Sequence, residues 1–184
     1  MRHQTTKKKM EEKAVQLLEK YIENENLRSH CRHVSACMVY YADKLGEDKN
    51  VWGEAGLLHD LDWEKFPDTH PNTAVPILEE AGYGKDFIDA ILGHAYPDRT
   101  NVPRESLIAK YLFACDEVTG LVHAYSLMKP GGVKDVEPRG VIKKMKDKAF
   151  ARNVNRDDIR KGAEEIGIEL SEHIQNIINA MSTI

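Results

Sequence analysis

Four stretches of the chain place a histidine or an aspartate where a helical pattern calls for an apolar side chain. Leu27, His30, Val34, Tyr41 and Leu45 share one face at helical spacing, so His30 points inward. Trp52, Ala55 and His59 align in the same way, and Asp60 follows at once. His94 stands on an apolar stripe with Phe87 and Ile91. Asp116 lies in the middle of IAKYLFACDEVTGLV, where a buried carboxylate costs several kcal/mol unless it is paired or bound to a cation. One inward histidine is ordinarily a satisfied core residue. Four segments that each aim an imidazole or a carboxylate inward form a metal-site pattern, and this mixture suits Fe, Mn, Co, Ni or Zn rather than Ca or Mg. Adjacent His59 and Asp60 diverge by about 100° on a helix. They serve one ion only if that helix end faces the site, or if Asp60 bridges two ions.

The elements that must carry these residues read as helices. Expected spans are about Met10 to Ile22, Leu27 to Leu45 (stopped by Gly46), Lys49 to Asp60, Asn72 to Ala81 and Lys85 to Ala95. A long helix starts with Pro103 in its first turn and runs to about Met128. KPGGVKDVEPRG then reads as a mobile loop, followed by about three short helices. One of these is capped by Asn155 with Asp158 in its first turn, and the last carries Leu170, Ile174, Ile177, Ile178 and Met181 on one stripe. No segment alternates with a period of two, so the fold class is all-α. Residues 1–128 are expected to form a helical core with the metal site, and 129–184 a helical extension packed on it.

Apolar residues at 41% and charged residues at 30% place the chain among globular proteins. No apolar run approaches the ~20 residues of a membrane span. The basic start, MRHQTTKKKMEEK, lacks the apolar stretch of a secretory signal. Cys31, Cys37 and Cys115, three with no paired spacing, fit reduced thiols, and a cytoplasmic location is expected. The net charge of −4 argues against a stable nucleic-acid complex. Residues 139–161 nevertheless hold nine Lys/Arg against three acids. That run is either a solvated helical surface or a wall that faces phosphate.

LRSHCRHV, GLLHDLDWEKFPDTHP, ILGHA and LFACDEVTGLVHA together resemble the HD superfamily of metal-dependent phosphohydrolases, in particular its small bacterial and archaeal members, over residues 20–128. The resemblance implies an HD-domain helical bundle with metal ligands His30, His59, Asp60 and Asp116. Members with two metals add two histidines between the HD pair and the last aspartate, and His70 and His94 stand in those places, with Asp60 as the bridge. The implied cofactor is one or two divalent transition-metal ions. The chain departs from the cyclic-dinucleotide branch, which has paired histidines and a Gly-Tyr-Pro signature; here Ala95 follows His94, and Tyr96-Pro97 lacks the glycine.

The implied reaction is hydrolysis of a phosphomonoester or phosphoanhydride, with a nucleotide as the expected small substrate. A divalent ion lowers the pKa of bound water from ~15.7 toward ~7, and the hydroxide would attack phosphorus in line. Asp60 and Glu64 are the expected catalytic carboxylates. Asp62 or Glu64, close behind the HD pair, could orient a ligand histidine or act as a general acid, or be surface loop acids. Lys65, Lys143, Lys144 and Arg152 are the expected phosphate-binding cations, with the Gly131-Gly132 loop able to close the extension over the substrate. His33 reads as a residue that supports a ligand or lies at the surface, His123 as one that lines or fills the pocket, and His3 and His173 as exposed. A homodimer is compatible with this reading. Two other classes use the same ligands: a branch resembling myo-inositol oxygenase, with two irons, and a non-catalytic nucleotide sensor.

Overall fold

The computed structural model describes residues 2–184, with side chains from Glu12 onward. It is built from helices α1 (Arg2–Tyr21), α2 (Glu25–Leu45), α3 (Lys49–Leu58), α4 (Ala74–Glu80) and α5 (Lys85–His94), then α6 (Leu107–Ser126), α7 (Pro138–Met145), α8 (Arg156–Glu165) and α9 (Leu170–Met181). No strand occurs among the described residues, as the sequence leads one to expect. No described helix is long and apolar enough to cross a membrane. The three cysteines are free and buried.

Capping fixes where most of these helices start. Asn24 and Asp48 accept amide protons from the first turns of α2 and α3, and Gly46 closes α2 with φ 75°. Asn155 caps α8 through the amides of Asp157 and Asp158, as its position suggests. The start of α6 corrects the sequence reading. Its N-cap is Ser106, whose hydroxyl accepts from Ala109 N, and Pro103 lies in the extended lead before it. A hydroxyl that can satisfy an orphan amide outcompetes a proline that merely tolerates the first turn. Helix α3 stops at Leu58, so His59 and Asp60 sit at its carboxyl end.

Two glycines let one helix meet the backbone of another. A Cβ at Gly56 would lie 2.7 Å from Ser35 Cα, so α3 crosses α2 almost backbone to backbone. A Cβ at Gly162 would lie 2.7 Å from Ala114 Cα, which seats α8 on α6 just before Asp116. The core is continuous through the chain: Val34, Tyr41, Leu58 and Leu112 share one buried cluster with Val141, Ile159, Ile174 and Ile177. The loop after α6 carries a 3-10 turn at Gly132–Asp135, and its Val136 is buried in the same core.

His173 corrects a second expectation. It is fully buried rather than exposed, receives the Tyr41 hydroxyl at Nδ1 (2.6 Å) and donates from Nε2 to the Ala114 carbonyl (2.8 Å). Its neighbours Ile174 and Ile177 draw it toward α2 and α6, and both ring nitrogens find partners there. His3 lies outside the described side chains.

Gly56→Ala is expected to destabilise the fold by about 1–3 kcal/mol, because backbone atoms of α2 cannot retreat as a flexible side chain would. Thermal denaturation beside wild type checks this; an unchanged Tm would mean that the crossing has slack.

Candidate metal centre

The carboxyl end of α3, the end of α5, the second turn of α2 and the middle of α6 converge on one point. His30, His59 and Asp116 offer ligand atoms that all lie within 4.8 Å of one another, and so do Asp60, His70 and His94. Asp60 faces both trios. Its Oδ2 lies 3.4 Å from His59 Nε2 and 3.9 Å from His30 Nε2, while its Oδ1 lies 3.5 Å from His70 Nε2. Asp116 Oδ1 is 2.9 Å from His30 Nε2 and 3.5 Å from His59 Nε2. All six residues singled out in the sequence are brought together.

The protons decide whether this set fits divalent ions. His59 donates from Nδ1 to the Gly56 carbonyl (2.8 Å), His94 from Nδ1 to the Ile91 carbonyl, and His70 from Nδ1 to Asp62 Oδ1 (2.7 Å). Each ring, when neutral, thereby presents a bare Nε2 lone pair to the cluster. His70 Nε2 and His94 Nε2 stand 3.3 Å apart, lone pair toward lone pair. His59 Nε2 is buried with no hydrogen-bond partner. Lone pairs and carboxylates packed in this way repel one another until a cation sits among them, so the donor set fits one divalent ion in each trio.

The acid–base state agrees. Burial opposes charge on His59, yet Asp60 and Asp116 outweigh it and hold its pKa well above the ordinary histidine value. Burial also works against the ionised forms of Asp60 and Asp116, but the charge of His59 keeps both well below the usual carboxylate range. In the metal-free protein a proton on His59 thus does part of the work of a cation. His94 is pushed down to about 4, first by burial and then by His59. Glu117, which the sequence reading passed over, is pushed up to about 7 by burial and then by Asp116. Its position directly after Asp116 was the only available signal.

Asp62 takes the orienting role. It is fully buried, receives His70 through Oδ1 and accepts the Ala74 amide through Oδ2 (2.9 Å). Glu64 stands elsewhere: its carboxylate accepts the amides of Glu23 and Asn24 (2.9 Å each), so it secures the chain that enters α2. A cavity of about 560 Å³ opens above the cluster, with His30, Asp60, His70, His94 and Asp116 along its floor. Its walls carry the aromatic rings of Trp63, Tyr96 and Phe113, the cations Arg99 and Lys161, and the acids Asp98, Glu117 and Asp158. Lys65, Lys143, Lys144 and Arg152 do not line it. Lys65 donates to the Lys20 carbonyl and faces Glu23, and Lys144 lies over the Phe150 ring. Lys143 and Arg152 are exposed. The basic run supplies the wall through Lys161 instead. Arg99 is held by the Pro67 carbonyl (2.7 Å) and by the Trp63 ring.

Two outcomes follow from this geometry. Asp60→Ala should abolish uptake of both ions, while His70→Ala or His94→Ala should leave one, read by elemental analysis of the purified proteins. In the metal-free protein His33, His94, His123 and His173 are all depressed below 6.5. Below that pH the unfolded chain binds protons that these folded residues refuse, so stability falls on acidification from 6.5 toward 4. Glu117 and His59, raised, act with the opposite sign: Glu117's contribution fades between its ordinary value of 4.5 and about 7, and His59's above 6.5. The four histidines should outweigh Glu117, and melts of chelator-treated protein should give a lower Tm at pH 4.5 than at 6.5. A Tm that rises on acidification would contradict this balance.

Comparison with known proteins places this geometry. The chain is similar to Ribonuclease Y of Nitratidesulfovibrio vulgaris, strains DP4 and Hildenborough, at 28% identity over 127 residues, 67% of this chain. It spans 22% of the length of those curated relatives. Residues 27–121, from the first turn of α2 through most of α6, match the HD domain, and the chain belongs to that family.

Proposed function

We propose that the chain is a metal-dependent phosphohydrolase that cleaves a small phosphomonoester of nucleotide size. One observation carries this reading: six nitrogen and oxygen donors converge, five of them on the floor of a cavity and His59 buried beneath it, and the walls of that cavity present Arg99 and Lys161. Divalent ions held by His30, His59 and Asp116 and by Asp60, His70 and His94 would supply an acidic water and positive charge for phosphoryl oxygens. Asp62 keeps His70 in the tautomer that can bind an ion, and the Gly56 and Ile91 carbonyls do the same for His59 and His94. Arg99 and Lys161 hold the phosphate over that floor. The Trp63 and Tyr96 rings offer flat apolar surface to the rest of the substrate.

The acids in the wall narrow the substrate. Asp98, Asp158 and the partly ionised Glu117 offset the two cations, so a second or third phosphate would find no spare positive charge in the wall, where a hydroxyl-rich or heterocyclic group needs none. A monoester is therefore favoured over a phosphoanhydride. That the curated relatives are named ribonucleases supports chemistry at phosphorus, although the shared stretch is a small part of their length.

The test is turnover of p-nitrophenyl phosphate and a panel of nucleoside 5′-monophosphates and triphosphates with Mn, Co, Ni, Fe or Zn. Activity should be equal with and without air and higher on monophosphates. Arg99→Ala and Lys161→Ala should each raise KM about tenfold, equivalent to ~1.4 kcal/mol, with kcat less affected. Lys143→Ala should leave KM unchanged. Activity that requires both ferrous iron and O2 would overturn the proposal in favour of an oxygenase.

A further inference from the structure

The ligands of the two trios are not anchored alike. In the first trio His30 and Asp116 stand inside long helices, each clamped on both sides by helical backbone, and only His59 sits at a helix end. His94 is the last residue of α5, and the chain turns at once through Ala95, Tyr96 and Pro97. Only its Nδ1 bond to Ile91 fixes the ring from within its own helix. The turn itself is fixed by Arg104. This buried guanidinium donates from Nη1 to the carbonyl of Gly93 (3.1 Å), the residue before His94, and to the carbonyl of Tyr96, two residues after it. It lies against the Phe113 ring, 3.8 Å from the ring centre. Its remaining edge, Nε and Nη2, meets both carboxylate oxygens of Glu165 at 2.9 Å, at the end of α8. Helix α8 is also the element that carries Asp158 and Lys161 to the cavity.

We propose that Arg104 is a positioning residue for the Asp60–His70–His94 half of the centre, pinning the backbone on both sides of His94 and tying that turn to the cavity wall on α8. The inference rests on the two-ion reading given above. The planar fork is what suits the task. Four N–H groups point to four acceptors in one plane, whereas a lysine ammonium has three donors at a single point and cannot span the carbonyls and the carboxylate together. The nearest crowding agrees: a Cβ at Gly93 would lie 3.3 Å from Arg104 Cγ, so the arginine stem is packed against the turn it holds.

The experiment is a calorimetric Mn(II) titration of the chelator-treated protein, repeated with Co(II) to read its visible absorption, in wild type, Arg104→Lys and Gly93→Ala. Gly93→Ala keeps the arginine but presses on its stem, so it serves if the lysine variant does not fold. The His70→Ala protein gives the titration and spectrum of the other trio alone. In wild type two ions should bind. In each variant the second ion should bind at least tenfold more weakly, the range expected when a group that supports a ligand is lost, while the first keeps its affinity and the residual spectrum matches that of His70→Ala. Wild-type affinity for both ions, or equal weakening of both, would overturn the role of Arg104. A wild-type titration that ends at one ion would overturn the two-ion reading itself, independently of the variants.

Discussion

Everything in this structure answers to one electrostatic demand: three buried imidazoles, a half-buried fourth and two half-buried carboxylates are packed against one another. His70 Nε2 and His94 Nε2, two groups not disposed to attract each other, stand 3.3 Å apart. The arrangement persists because the Nδ1 atoms of the three buried rings are already committed. His59, His70 and His94 have spent their Nδ1 protons on Gly56, Asp62 and Ile91, and rotating away would break those bonds without finding new ones. The two close glycine contacts serve the same end. Gly56 brings the end of α3 against α2, and Gly162 brings α8 against the α6 turn that precedes Asp116.

Much of this was legible in the chain. Inward spacing located His30, His59, His94 and Asp116, because a helix puts residues three, four and seven apart on one face and the core composition of that face is visible in the sequence. His70 was harder, since it sits outside a regular helix and no periodicity applies; the family resemblance, not spacing, singled it out. What was not legible depends on direction within loops. Glu64 and Asp62 are two residues apart just past α3, and only the turn there decides that Asp62 is buried against His70 while Glu64 binds the amides that enter α2. The sequence offers no measure of that choice.

The expected cations lie away from the cavity for a related reason. A run of nine Lys/Arg in residues 139–161 is a fact of composition, whereas a pocket wall is a fact of facing. Lys161 reaches the cavity because α8 packs on α6 through Gly162, while Lys143 and Arg152 remain at the surface. Arg99 was passed over because it stands alone, outside any charged run. His173 shows the converse, a polar residue read as exposed that the core absorbs because Tyr41 and the Ala114 carbonyl are waiting for it.

The ends of α3 and α5 have a further consequence. His59 and His94 each bind the carbonyl three residues before them, in the last turn of a helix that finishes at the cluster. Last-turn carbonyls have no amide ahead of them, and a helix presents roughly half a negative charge at that end. Two helix termini therefore add about one unit of fixed negative potential to the two aspartates, with no further carboxylate that could itself take up a proton. Two divalent cations would exceed that total by about one unit. The floor would then be the positive pole of a cavity whose rim is acidic, and an anion would find its deepest well at the bottom, not at the entrance.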